Sequence, residues 1–231
     1  MSTSAESLVS CLCVTRNRVP LLRRAVACFL QQSYHPRELV VVFESDDAAT
    51  RDYLATLNEP AVSKIEIPCL PKQRLGTLRN LALAAAQGRY VAQWDDDDWY
   101  APDRLTAQIG ALRQSGRSGC LLPQWIIFDD VTKRAYLSAV RTWEGSMVAL
   151  RSAVPPYPDL AQGEDTPVIK GLLDAGQLAF VNQPYLYVYV NHGGNTWDRT
   201  HFETNLLPHA QPLPPETATK IRQVLEAGAS C

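Results

Sequence analysis

Short apolar runs alternate with amphipathic segments through the first half of the chain. The runs have strand length and are rich in Val, Leu and Ile; they cover residues 8–14, 39–43, 64–67 and 90–94. Apolar residues at helical spacing lie between and after them, in residues 21–32, 50–57, 74–87 and from Pro102 to about residue 114. This alternation predicts an α/β protein with a mixed, mostly parallel sheet and helices on both faces.

The second half of the chain is less regular. Its composition predicts strands at residues 120–128 and 134–140, with a turn at Asp129 and Asp130 between them. Further strands are expected at residues 146–150 and 185–190, and helices at residues 164–175 and 216–227.

Polar side chains follow the predicted strands at the points where they end. Thr15, Asn17 and Arg18 follow the first strand, residues 44–47 follow the second, and four aspartates follow the fourth. Ligands of open α/β sheets bind beyond the carboxyl ends of the strands. We therefore expect these three clusters to converge on one cleft.

The run Asp95, Asp96, Asp97 and Asp98 is the strongest local signal for chemistry. Adjacent carboxylates repel one another, and a bound divalent cation relieves that repulsion. Mg²⁺ and Mn²⁺ prefer oxygen ligands and often share them with a substrate diphosphate. Alternation along an extended strand lets Asp95 and Asp97 act on one side. The competing interpretation is a solvated acidic turn.

Other candidate residues each keep a structural interpretation beside the functional one. Asp165, after Glu164, either caps a helix or takes a proton from a sugar hydroxyl. The pair Arg79 and Asn80 is either a surface pair or a contact to a nucleotide-sugar. His192, in a glycine-bearing loop, is either a metal or phosphate ligand or an ordinary loop histidine.

The aromatic residues and the composition add three expectations. Trp125 is assigned to the core, whereas Trp143, beside Glu144, is a candidate platform for an acceptor sugar. The chain has 231 residues and a formal net charge of −2, with no basic patch for nucleic acid and no apolar run that could span a membrane. Its six cysteines lack paired spacing, which favours reduced thiols over a zinc site, and the cytoplasm is the expected location.

Motifs of several large enzyme classes are missing from the sequence. It has no G-x-x-x-x-G-K-[ST] loop, no G-x-G-x-x-G after the first strand and no G-x-S-x-G elbow. These absences argue against P-loop enzymes, typical dehydrogenases and α/β-hydrolases.

Taken in order, the motifs resemble glycosyltransferase family 2, whose members have the Rossmann-like GT-A fold. The matching segments include V-T-R-N-R at 14–18, L-R-N-L-A at 78–82, W-D-D-D-D-W at 94–99 and G-E-D at 163–165. The resemblance covers roughly residues 8–200. It implies a nucleotide-sugar-binding half at residues 8–115 and an acceptor half at 116–207 within one domain, 1–207. A proline-rich linker and a C-terminal helix would follow at 208–231.

The resemblance also implies roles for individual residues. Asp95 and Asp97 match the family's D-x-D element, which holds the ribose and the metal on the donor diphosphate. Glu44 occupies the position of a nucleobase-binding aspartate, although paired aspartates are usual there. Asp165 matches the base of an inverting transfer, and His192 matches a late histidine near the metal. The predicted donor-binding residues are Thr15, Asn17, Arg18, Glu44, Arg79, Asn80, Asp95 and Asp96; the acceptor-binding residues are Trp143, Glu144 and Glu164.

The expected function is therefore an inverting, Mn²⁺- or Mg²⁺-dependent transfer from a nucleotide-diphosphate sugar, UDP-linked, to an acceptor hydroxyl. A soluble single-transfer enzyme is favoured over a polysaccharide synthase. Two alternatives stay open: a nucleotidyltransferase acting on a sugar phosphate, and a non-catalytic nucleotide-sugar-binding protein on the same scaffold.

Overall fold

The strands of the protein fall into two sheets, as seen in a computed structural model that describes residues 6–229. In chain order the strands are β1 (Val9–Val14), β2 (Arg37–Glu44), β3 (Val62–Ile67), β4 (Tyr90–Gln93), β5 (Trp99–Tyr100), β6 (Gly119–Leu121), β7 (Ile126–Asp129), β8 (Arg134–Leu137), β9 (Val148–Leu150), β10 (Leu178–Phe180), β11 (Tyr187–Asn191) and β12 (Gln211–Pro212). Among the described residues the larger sheet has the order β10-β6-β9-β4-β1-β2-β3, and the smaller has β12-β8-β7-β11-β5.

Helices pack against both sheets. They are α1 (Val19–Leu30), α2 (Ala48–Thr56), α3 (Leu75–Ala85), α4 (Arg104–Ser115), α5 (Thr166–Asp174), α6 (Arg199–His201) and α7 (Pro215–Ala229). Gly116 and Gly176 end α4 and α5 with φ near 65°, a left-handed conformation that glycine adopts without steric strain.

The central strands are buried on both faces, as in a sheet covered by helices. In β1, Cys11 and Cys13 belong to one apolar cluster, and Leu12 between them belongs to the other. β1, β2, β3 and β4 are parallel, whereas β9 runs antiparallel to β4 and β6. The predicted mixed, mostly parallel sheet is therefore confirmed.

Register places three polar clusters at one edge of this sheet. Val14 in β1 lies beside Val42 in β2, and Leu12 lies beside Gln93 in β4. Chain segments leaving these strands at their carboxyl ends therefore emerge side by side. The smaller sheet carries β11, which leads into the loop at His192.

One predicted strand is wrong. Residues 120–128 form two strands, because β6 ends at Leu121 and β7 begins at Ile126 in the other sheet. Pro123 between them has no N–H for a sheet ladder. Strands β5, β10 and β12 are two or three residues long and were not predicted, since so short a segment has no measurable period.

The C-terminal helix packs against the rest of the chain. Ala218, Ile221 and Leu225 of α7 are buried against Phe128 and Val188 of the smaller sheet. The preceding proline-rich segment contributes β12, which pairs with β8. Within residues 6–229, no helix has both the length and the apolar character needed to cross a bilayer.

Candidate functional site

A cavity of about 810 Å³ opens where β1, β2 and β4 end. Most of the predicted site residues line it, namely Thr15, Arg18, Glu44, Arg79, Asp95, Asp96, Asp97, Trp143, Glu144, Glu164 and Asp165. The lining does not include Asn17, Asn80 or His192. Residues that are far apart in the sequence therefore meet in one place.

The four adjacent aspartates have four different sets of partners. Asp95 binds Arg79 at 2.9 Å, and Asp96 accepts a hydrogen bond from Thr15 at 2.7 Å. Asp97 lies 3.2 Å from His192. Asp98 is buried, and its carboxylate accepts hydrogen bonds from the Tyr187 hydroxyl and from the Val190 N–H of β11. Asp98 therefore joins the two sheets, and its three neighbours line the cavity with it.

Burial controls the protonation of this run. It raises the pKa of Asp96 to about 7, with the Asp97 charge acting in the same direction. Burial likewise raises the pKa of Asp98 well above its usual value. For Asp97 burial acts in the same upward direction, but the His192 hydrogen bond and the Arg18 charge outweigh it and lower the pKa. Asp97 is thus better held as an anion than Asp96 or Asp98.

Asp97 and His192 are the residues that could hold a divalent cation. The Gly194 N–H donates to Nδ1 of His192 at 3.3 Å, so the Nε2 proton points toward Asp97. Ligation through Nε2 requires that proton to leave. Among residues 6–229 no three His, Cys, Asp or Glu side chains are grouped to hold a metal. A carboxylate and an imidazole still fit a cation that takes its other ligands from a diphosphate and water.

Arg79 connects two carboxylates in the lining of the cavity. It is 6% exposed, and its Nε lies 2.5 Å from Glu164 Oε1 while Nη2 lies 2.9 Å from Asp95 Oδ1. The surface-pair interpretation of Arg79 is therefore wrong. Burial raises the pKa of Glu164, and the Arg79 charge opposes that rise. Glu164 thus anchors Arg79 from the wall of the cavity.

Asp165 stands at the start of α5 but does not cap it. Its side chain makes no capping hydrogen bond to the first turn of the helix. Instead Oδ2 accepts a hydrogen bond from Nε2 of Gln93 at 3.2 Å. The carboxylate therefore remains available to the cavity that it lines.

Glu44 is buried in the lining of the cavity, where two cations contact it. Arg16 contacts its Oε2 at 2.7 Å, and Lys72 binds the same oxygen. The other oxygen, Oε1, is buried and has no hydrogen-bond partner. Arg16 and Lys72 were not predicted as site residues. Lys72 could have been found, because residues 72–74 are a basic cluster that follows β3 at the same sheet edge.

The two predicted asparagines form contacts within the protein instead of lining the cavity. Asn17 has φ of 52°, and its backbone N–H donates to Asp47, the residue that caps α2. Asn80 exchanges two hydrogen bonds of 2.8 Å with the backbone of Tyr157. The backbone of Asn17 and the side chain of Asn80 therefore stabilise loops beside the cavity.

Aromatic rings form one wall of the cavity. Trp143 stacks on Trp125 with ring centroids 4.5 Å apart, and Trp125 stacks on Tyr187 at 4.6 Å. Trp125 is 6% exposed, in agreement with its assignment to the core, yet it also lines the cavity. At Gly145 an added Cβ would lie 3.0 Å from the Tyr187 hydroxyl and 3.5 Å from Asp95, so this position leaves no room for a side chain.

Comparison with known proteins agrees with this geometry. The model of the family described as "Glycosyl transferase family 2" matches residues 10–161. The succinoglycan biosynthesis protein ExoO of Rhizobium meliloti (strain 1021) is 34% identical over 101 residues, which are 43% of this chain and 28% of that protein. The segments matched to the curated relatives are 43% to 49% of this chain and 28% to 43% of the relatives' own length.

Two solved structures share the fold at low sequence identity. A mannosyltransferase from Pyrobaculum calidifontis, in complex with GDP-Man and Mn²⁺, superposes with a TM-score of 0.63 at 17% identity over 98% of this chain and 70% of that one. Staphylococcus aureus TarS 1–349, in complex with UDP-GlcNAc, gives a TM-score of 0.63 at 16% identity over 95% and 66%. Both have the GT-A fold, so the predicted fold class is confirmed.

Proposed function

Since this chain belongs to glycosyl transferase family 2, we propose that it transfers a sugar, with inversion, from a uridine-diphosphate sugar to an acceptor hydroxyl. The observation that carries the proposal is the cavity itself. It brings Glu44, the aspartate run and Asp165 together in one space of about 810 Å³. That volume lies within the range of about 300–1,000 Å³ typical of small-molecule sites.

The state of Glu44 supports a uracil base. Uracil presents one N–H between two carbonyl oxygens. Glu44 offers one unpaired oxygen, and the cations Arg16 and Lys72 stand beside it. Guanine presents two adjacent donors and would need both oxygens of the carboxylate, but Oε2 is already shared by the two cations. A site with buried polar groups discriminates strongly against a ligand that leaves them unpaired.

Asp165 is proposed as the base. As the acceptor oxygen bonds to the anomeric carbon, its proton passes to Asp165, and the bond from that carbon to the diphosphate oxygen breaks with its electron pair leaving on the diphosphate. Arg79 holds Glu164 and Asp95 on either side of this centre. A Mn²⁺ or Mg²⁺ ion held by Asp97 and His192 would supply positive charge to the departing diphosphate.

The acceptor is proposed to rest against the aromatic wall. Trp143 stacks on Trp125 and both rings line the cavity, while Glu144 on the same wall offers a carboxylate to hydroxyl groups. Sugar rings have one apolar face and polar edges, which suits such a combination.

A thermal-shift panel tests the donor assignment. UDP, GDP, CDP and ADP are each added with and without Mn²⁺. Binding to the native state raises stability by about 2.7 kcal/mol at 100 times the Kd, which for a chain of this size corresponds to about 5–10 °C. We expect the largest shift for UDP with Mn²⁺. A larger shift for GDP than for UDP would refute the assignment of uracil as the nucleobase.

The Asp165→Asn variant tests the chemistry. It keeps the shape of the side chain but cannot accept the proton, so UDP release from UDP-sugars should fall by about 10²- to 10⁴-fold. UDP binding should change little. Near-normal turnover by Asp165→Asn would show that Asp165 is not the catalytic base. UDP binding by the wild type without any turnover would favour a non-catalytic nucleotide-sugar-binding protein.

A further inference from the structure

Gln93 is a polar side chain at the end of an otherwise apolar buried strand. It is 1% exposed. Its backbone is fixed on both sides, because its N–H donates to the Met147 carbonyl at 2.9 Å and its carbonyl accepts from Arg104 at 3.1 Å. The direction of the side chain is therefore set by the sheet.

The amide of Gln93 lies between two carboxylates. Nε2 lies 3.2 Å from Asp165 Oδ2 and 3.3 Å from Asp95 Oδ2. A primary amide has two N–H donors, so each carboxylate can receive one. Asp95 also binds Arg79, whereas within residues 6–229 Gln93 is the side chain that donates a hydrogen bond to Asp165.

An apolar residue would be the ordinary occupant of this buried position. The amide oxygen of Gln93 is buried without a partner, which is unfavourable for folding. Side chains that break local rules in this way are expected at functional sites, where a gain elsewhere compensates. The gain here is control over the orientation of Asp165.

We propose that Gln93 is a positioning residue for sugar transfer, holding the Asp165 carboxylate toward the acceptor and tying it to Asp95 on the donor side. This inference rests on the proposed function, in which Asp165 is the base. Gln93 takes no proton itself. Its effect is on how often Asp165 has the orientation needed for the reaction.

Two substitutions at position 93 test the role. Gln93→Met keeps the volume and removes both donors, while Gln93→Glu keeps the shape and replaces the amide with a carboxyl group. Gln87→Glu is the matched control, because it makes the same chemical change on an exposed side chain outside the cavity. The assay follows UDP release from UDP-glucose, UDP-galactose and UDP-N-acetylglucosamine with Mn²⁺, with water as the acceptor.

Loss of a hydrogen bond to a charged group predicts a decrease in kcat of about ten- to a hundredfold for Gln93→Met. The KM for the UDP-sugar and the affinity for UDP should stay within about threefold of wild type. A purely structural defect would instead alter donor binding and thermal stability together with kcat.

The pH dependence separates the two variants. Asp95 and Asp165 contact the side chain of residue 93, and the cation Arg104 contacts its backbone carbonyl. Arg79 binds Asp95 and Glu164, so both belong to the same group of charges. The introduced carboxyl group in Gln93→Glu can donate a hydrogen bond only when protonated. Its activity relative to wild type should therefore rise as the pH falls, whereas that of Gln93→Met should not.

The outcomes distinguish this inference from the function on which it rests. An active wild type with an unchanged kcat in Gln93→Met, or in Gln93→Glu at high pH, overturns the positioning role and leaves the transferase intact. No UDP release by the wild type from any of the three donors removes the proposed function, and the positioning role with it. A reduced kcat with an unchanged KM, and normal behaviour of Gln87→Glu, supports both.

Discussion

Replacing Arg79 with methionine should destabilise the protein far more than removing an exposed ion pair of the same length. The Arg79 side chain is 7% exposed and Glu164 is 3% exposed. Removing one member of a buried pair leaves an uncompensated charge and costs about 3–5 kcal/mol. For a chain of this size that loss lowers Tm by about 6–20 °C.

The pH dependence of this loss follows from Glu164. Burial raises the pKa of Glu164 above its ordinary value of 4.5, and Arg79 limits the rise. The native state then binds a proton more tightly than the unfolded chain. Stability therefore falls as the pH rises from 4.5 to the raised native pKa. Without Arg79 that pKa is higher still, so Arg79→Met should lose more stability than wild type as the pH rises above 4.5.

Urea unfolding at several pH values measures both effects. Lys170→Met is the control, because Lys170 and Asp174 also lie 2.5 Å apart but are 69% and 60% exposed. Exposed pairs contribute about 0–1 kcal/mol. The double variant Arg79→Met with Glu164→Gln should regain stability and lose the extra pH dependence. If Arg79→Met and Lys170→Met were equally stable at all pH values, the reasoning about this buried network would be refuted.

Three further predictions concern other parts of the structure. In a Cys231→Ser background, a thiol reagent at about pH 8 should label Cys69 rapidly and the buried thiols only after unfolding. The reason is that burial raises the pKa of Cys11 to about 12 and that of Cys28 to about 11. Equal labelling rates for Cys69 and the buried thiols in the native protein would contradict this prediction. Ile221→Ala should lower the free energy of unfolding, measured with urea, by about 2–5 kcal/mol, because α7 packs on the smaller sheet. A decrease below about 0.5 kcal/mol would show that α7 does not pack there. Gly145→Ala should lower the free energy of unfolding by about 1–3 kcal/mol because of the contact with Tyr187. Gly110→Ala, at an open position of α4, should leave it unchanged or raise it by up to about 1 kcal/mol. If Gly110→Ala were the more destabilising change, the cavity geometry at Gly145 would be wrong.

Local patterns in the sequence were sufficient for the main architecture. Strand runs and helical spacing reflect interactions between near neighbours, so the order of β1 to β4 and α1 to α4 could be predicted from them. The rule that ligands bind beyond parallel strands then placed Thr15, Glu44 and the aspartates at one edge. The break near Pro123 and the very short strands were missed because pairing in a second sheet is a long-range event.

The partners of each side chain were decided only by the tertiary structure. The sequence marks Asp95, Asp97 and Asp165 as carboxylates near strand or helix ends, but not which cation or amide each one meets. Gln93 contacts Asp165 across 72 positions, and Arg79 reaches Glu164 across 85. Such contacts depend on how helices and sheets pack, and local periodicity contains no information about that packing.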